Sequence, residues 1–145
     1  MISNERQYRI TKGEAEKFSR ALQEAVRRSD IDSLLQTLEH DALRSQLHDL
    51  EQELREYEML RSGEESVLKL ESFAELPRAL IKARVASGLT QKDLADRLGL
   101  KEQQIQRYEA TDYTAASVRR LKQVIEALGI RVHADIFLGT PKASM

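Results

Sequence analysis

Six polar residues in one short stretch, Lys101, Glu102, Gln103, Gln104, Gln106 and Arg107, carry the densest recognition chemistry in this 145-residue chain. They surround Ile105 and Tyr108, whose spacing predicts the buried side of a helix starting near Glu102. The six polar side chains then face outward. A glutamine amide can hydrogen-bond adenine bidentately and an arginine guanidinium can do so with guanine, each good pair giving about 1–3 kcal/mol of discrimination. An isolated surface glutamine means little. The elements that must hold this group give it meaning.

Thr90 is a good N-cap, and Gln91–Leu98 reads as a helix with Leu94, Ala95 and Leu98 on one face. Gly99 stands where the chain must reverse, and Leu100 re-enters the core. The small Ala95 lets this helix and the next cross closely. Ala95, Gly99 and Ile105 occupy the fifth, ninth and fifteenth places from Gln91, which are the constraints of a helix-turn-helix. Upstream, Ser72-Phe73-Ala74-Glu75 is a capping-box pattern leading into a helix to about Ser87, with Pro77 in its first turn and Leu80, Ile81 and Val85 inward. Downstream, Thr114 predicts the cap of a helix over Ala115–Leu128, with Val118, Leu121, Val124, Ile125 and Leu128 inward. Ile130–Leu138 then alternates with period two, which predicts a strand pairing with Ser66–Leu70 or with its own copy across a two-fold axis.

On Arg84, Gly88, Thr90-Gln91, Leu94-Ala95, Gly99, Ile105, Glu109 and Ala127-Leu128-Gly129, the region Leu76–Gly129 resembles the lambda-repressor-like (Xre/Cro) DNA-binding domains. The whole chain resembles a HigA-type antitoxin or a small prophage regulator. The resemblance implies base reading by Glu102, Gln103 and Arg107, with Gln106 secondary, and a capping and phosphate-contacting role for Gln91. It also implies a structural ion pair between Arg84 and Glu109. Lys92, Lys101, Tyr113, Arg119 and Arg120 are placed to meet phosphates, contacts that position without specifying. Glu102 can accept from cytosine N4 or simply stabilise the helix N-terminus. Gln104 can read DNA or turn back to the backbone. The period-two segment replaces the fifth helix of the phage repressors.

The N-terminal half predicts two helices. One runs from a Thr11 cap to about Arg28, with Ala15, Phe18, Leu22, Ala25 and Val26 as its stripe. Ser29-Asp30 is a break and Ile31–Leu38 an apolar patch. The second helix, Asp41–Arg61, carries Leu43, Leu47, Leu50, Leu54 and Tyr57 at heptad spacing. Such a stripe must pack on the first helix as a hairpin, on its twin in a homodimer, or on a partner. Glu64–Ser72 reads as a short strand or linker. The expected organisation is a helical region at 1–63, a linker at 64–72, a helix-turn-helix domain at 73–138 and a tail at 139–145, mainly α with one short C-terminal strand.

Composition excludes several classes. The chain has no cysteine, so neither a disulfide framework nor a thiolate metal site can form. His40, His48 and His133 lack ligand spacing, and neither a metal nor another cofactor is expected. No nucleophile–base set, phosphate loop or carboxylate pair is present, so no catalytic residue is named and an enzyme is not expected. No apolar run reaches membrane-span length and no signal peptide is present, which makes a cytoplasmic protein the expectation. Net charge is only −1. It is polarised, however: residues 1–70 hold 11 Lys/Arg against 15 Asp/Glu, and residues 71–129 hold 10 against 8. Two functions follow. The first is a dimeric repressor reading a palindromic double-stranded DNA operator, either as the autorepressing antitoxin of a toxin or as a stand-alone regulator. The second is a protein-interaction module whose N-terminal helices bind a partner, with little DNA reading.

Overall fold

A computed structural model describes residues 1–28 and 33–139. The break expected at Ser29-Asp30, the start of the apolar patch at Ile31-Asp32 and the tail from Pro141 lie outside them. Among the described residues six α-helices follow in order: α1 (Glu5–Arg27), α2 (Ser33–Ser62), α3 (Leu76–Ala86), α4 (Gln91–Leu98), α5 (Glu102–Ala110) and α6 (Val118–Leu128). None is long and apolar enough to cross a membrane.

The N-terminal helices form a hairpin, and α2 also packs on α3. Helix α1 starts six residues before the expected Thr11 cap because Asn4 takes that role. The Asn4 side chain accepts from the Gln7 N–H at 2.8 Å, and the Gln7 side chain accepts from the Ser3 N–H at 2.8 Å. No breaker lies between Asn4 and Thr11, so the earlier cap wins. The roughly two extra turns bring Tyr8 onto Tyr57, ring centroids 5.2 Å apart. The Tyr8 hydroxyl donates to Glu58 and the Tyr57 hydroxyl to Glu5, while Arg61 lies over both rings and bonds Glu5 at 2.7 Å. Helix α2 extends back to Ser33, well before Asp41. Its heptad residues Leu43, Leu47, Leu50 and Leu54 are half-buried and Tyr57 is buried.

Helices α3–α6 enclose a second core of Leu76, Leu80, Ile81, Leu94, Ala95, Ile105, Tyr113, Val124 and Leu128. Ser72 caps a single 3₁₀ turn at Phe73–Glu75 before α3 begins. Helix α6 starts three residues later than expected, with Ser117 as the N-cap. Val118 therefore sits at the helix mouth and is exposed, not inward. Within one chain the expected C-terminal strand is absent. Residues 131–138 have no regular structure, and Ser66–Leu70, the neighbour such a strand would need, is equally without ladder bonds. Alternation alone cannot make a strand; each backbone N–H and C=O needs an edge to bond.

One helix joins the two cores. Ile81 and Leu80 point into the core of α3–α6, while Val85 closes the smaller cluster of Ile2, Tyr8, Tyr57 and Leu60. The hairpin is thus continuous with the rest of the molecule. Truncating the buried ring in Tyr57→Ala is expected to cost about 3–5 kcal/mol, as for other buried aromatics. Thermal unfolding followed by circular dichroism should stay a single transition at lower temperature. Two separated transitions would show that hairpin and α3–α6 unfold independently.

Candidate nucleic-acid interface

The two helices that flank α5 in the chain, α4 and α6, are each capped by a side chain. The Thr90 hydroxyl accepts from the Asp93 N–H at 3.0 Å and the Asp93 carboxylate accepts from the Thr90 N–H at 2.9 Å, a complete capping box for α4. Gly99 then adopts the left-handed conformation, φ +68°, that ends α4 and turns the chain. The Leu100 N–H returns to the Ala95 carbonyl at 2.8 Å, which seats Leu100 against the core. Arg97 donates to the Ala127 carbonyl at 2.7 Å and so ties α4 to the end of α6.

Beneath α5 lies a buried polar cluster. Arg84 on α3 is 2% exposed and Glu109 at the end of α5 is 6% exposed. The guanidinium meets the carboxylate fork to fork, Nε to Oε2 at 2.6 Å and Nη2 to Oε1 at 2.8 Å. Its remaining donors reach the Leu89 carbonyl at 2.8 Å and the Ser3 carbonyl. Glu109 also accepts from Gln91 Nε2 at 2.9 Å, and Gln91 Oε1 accepts from Asn4 at 3.2 Å. One cluster therefore ties α3, α4, α5 and the N-cap of α1 together.

Helix α5 ends in strain. Asp112 and Tyr113 both have positive φ, +48° and +55°, in a conformation most side chains avoid. Three interactions hold them there: Tyr113 N–H to the Tyr108 carbonyl at 2.8 Å, Tyr113 stacked on Tyr108 at 5.5 Å, and Asp112 beside Arg78 at 3.4 Å.

The outer side of α5 presents Glu102, Gln103, Gln106 and Arg107, all exposed, with Ile105 fully buried behind them. Gln104 is exposed too, but its Oε1 accepts from the Lys101 N–H at 2.9 Å, so its side chain is folded back over the helix start. Gln106 Nε2 lies 3.5 Å from Glu102 Oε1. Lys92, Lys101 and Arg119 are exposed, Lys92 at 3.3 Å from Asp96, and Arg120 lies over the Tyr108 ring at 6.0 Å. Two residues expected at phosphates lie elsewhere. Gln91 is 6% exposed with both amide atoms engaged, and Tyr113 is 3% exposed inside the core.

A neighbour with no signal in the sequence flanks α5. A groove opens between the first turns of α1 and of α5, with Arg6, Gln7 and Ile10 on one wall and Glu102 and Gln106 on the other. Gln103 and Arg107 do not line it.

Residues 80–133 match the helix-turn-helix family. They are a helix-turn-helix domain of the Xre, lambda-repressor-like type. Neither curated proteins nor solved structures give a match to the chain. The matched span runs from Leu80 through His133, so it contains all of α4, α5 and α6 and most of α3. Domains of this family serve DNA-binding transcription regulation and are not typically enzymatic. In the helix-turn-helix, α4 is the supporting helix and α5 is the one whose outer side faces away from the core.

Glu109→Ala leaves the Arg84 guanidinium buried without its carboxylate, and is expected to cost about 3–5 kcal/mol in urea unfolding. A loss below about 1 kcal/mol, the level of an exposed pair, would mean that the cluster contributes no more than surface charge. Tyr113 yields a pH dependence. Burial, with the Glu109 carboxylate adding to it, pushes its phenol pKa above the ordinary value. Both states hold the proton below about pH 10; above it only the unfolded chain releases it, so this residue's contribution falls as pH rises, by at most about 1.4 kcal/mol per pH unit. Tyr113→Phe should therefore flatten the alkaline stability profile, measured as urea midpoints between neutral and alkaline pH. An unchanged slope would place the phenol in solvent.

Proposed function

We propose that this chain is a sequence-specific double-stranded DNA-binding repressor that acts as a homodimer, with α5 entering the major groove. The observation that carries this reading is the row Gln103 and Arg107, both exposed and unpartnered among the described residues, on a helix whose inner side is anchored by Ile105 and Glu109. A helix retained only for folding has no need of a bidentate amide and a guanidinium along its outer side. In this reading Gln103 and Arg107 contact base edges and Gln106 assists. Glu102, at the first position of α5, favours the helix dipole more than it favours a cytosine. Lys92, Lys101, Arg119 and Arg120 meet phosphates. Gln91 orders the first turn of α4 from inside, so any phosphate contact there falls to the backbone at the helix N-terminus. Two copies would read half-sites about 34 Å apart, one helical turn of DNA.

A second setting has its own observation. Leu35 and Leu38, near the start of α2, are 64% and 58% exposed, an apolar patch at the hairpin tip far along the chain from the reader. That patch suits a protein partner, as an antitoxin would need for its toxin. Co-purification of the product of an adjacent reading frame, lost in Leu35→Glu/Leu38→Glu, would support it, and a chain that purifies alone beside that product would not.

The DNA reading is tested by fluorescence anisotropy against DNA from upstream of the chain's own gene and a scrambled control at near-physiological salt. A preference of at least about a thousandfold is expected. Gln103→Ala and Arg107→Ala should each lose about 1–3 kcal/mol on the specific site and little on the control. Equal, salt-sensitive binding to both DNAs would refute autoregulation by this chain.

A further inference from the structure

The segment after α6 is built like a strand yet pairs with no other segment among the described residues. Ile130 packs on the edge of the core of α3–α6, which fixes where the segment starts. Beyond it Val132 is half-exposed, and Ile136, Phe137 and Leu138 are 85%, 89% and 95% exposed. Among the described residues no backbone hydrogen bond joins 131–139 to another segment. Ile130, Val132, Ala134, Ile136 and Leu138 fall on one side, and Arg131, His133 and Asp135 on the other.

The order of those residues is self-complementary when reversed. With His133 opposite the same residue of an antiparallel second copy, Ile130 faces Ile136 and Val132 faces Ala134 on the apolar side. Arg131 faces Asp135 on the polar side, and by symmetry the pairing occurs twice. A slip of one residue would bring apolar against polar faces, and a slip of two towards the start of the segment would place Arg131 against His133.

We infer that residues 130–136 form a two-stranded antiparallel ribbon with a second copy of this chain, in the register set by the paired Arg131–Asp135 contacts. This rests on the homodimer of the proposed function and names its interface. A two-stranded ribbon is marginal in water by itself, so its apolar side must lie on a core. Ile130 already does so in each copy, and the ribbon would thus run across the ends of both α6 helices with Arg131, His133 and Asp135 facing solvent. The pairing gives each backbone an edge that the described residues of its own chain do not offer it.

Charge exchange tests the register in the full-length protein by sedimentation velocity across a concentration series. Arg131 is exposed, and the His133 and Asp135 side chains are 91% and 74% exposed, so substitutions there leave the folded chain intact, checked by its helical circular dichroism. Asp135→Arg sets two arginines opposite each other twice per dimer, and Arg131→Asp does the same with aspartates. Each should weaken dimerisation about tenfold or more, since like charges directly opposite are unfavourable. An equimolar mixture of the two variants should recover the wild-type constant as a heterodimer, and the double variant Arg131→Asp/Asp135→Arg should recover it alone. Single variants that dimerise like wild type, or a double variant as weak as the singles, would overturn the ribbon. A monomeric wild-type chain would overturn it as well. Binding of that monomer to one DNA half-site, with Gln103→Ala still weakening it, would show that the DNA reading survives while the ribbon does not.

Discussion

A guanidinium has five N–H donors and can be buried only where acceptors surround it. The fold brings them to Arg84 from three directions: the Glu109 carboxylate from α5, the Leu89 carbonyl from the turn before α4, and the Ser3 carbonyl from the segment before α1. Each acceptor belongs to a different piece of chain, so satisfying one side chain fixes the positions of all three. Gln91 and Asn4 then close the ring from α4 and the α1 cap. Apolar packing holds the helices together without much directional preference. The cluster supplies the direction, and α5 presents its outer row at an angle that the buried charge determines.

Much of this is legible in the sequence, and the residues show why. The Thr90 cap, the Gly99 turn, and Leu94, Ala95 and Ile105 are local signals whose consequences stay within a few residues, so the span Gln91–Ala110 folds where its pattern says. Arg84 and Glu109 stand at positions where both residue types are informative. Their further partners are not legible, because Ser3 and Asn4 lie more than eighty residues away and offer only a backbone carbonyl and an amide. The start of α1 was legible in principle: Asn4 followed three residues on by Gln7 is an N-cap signature, obscured by the equally good pattern at Thr11. The burial of Gln91 and Tyr113 follows from tertiary context alone. One is drawn in by Glu109, and the other is placed by a positive φ that nothing in its residue type foretells.

The N-terminal half reads as acidic when its charges are added over residues 1–70, yet the structure divides it. Helix α1 holds six Lys/Arg against four Asp/Glu, whereas α2 holds three against seven. The more basic helix begins beside α5, with Arg6 across the groove from Glu102 and Gln106. The acidic one continues behind it, towards Val85 on the far side of α3. A net charge summed along the chain conceals this division, because it adds the two helices together.

The outer side of α5 also divides its residues by freedom of movement. Gln104 is already held against the helix start, while Gln103 and Arg107 extend into solvent. Immobilising a long side chain on binding costs about 0.5–1.5 kcal/mol, and only the mobile residues incur it at that moment. The frame beneath them, pinned by the buried charge, has little further ordering to undergo. Recognition by such a surface concentrates its entropy loss in a few side-chain torsions.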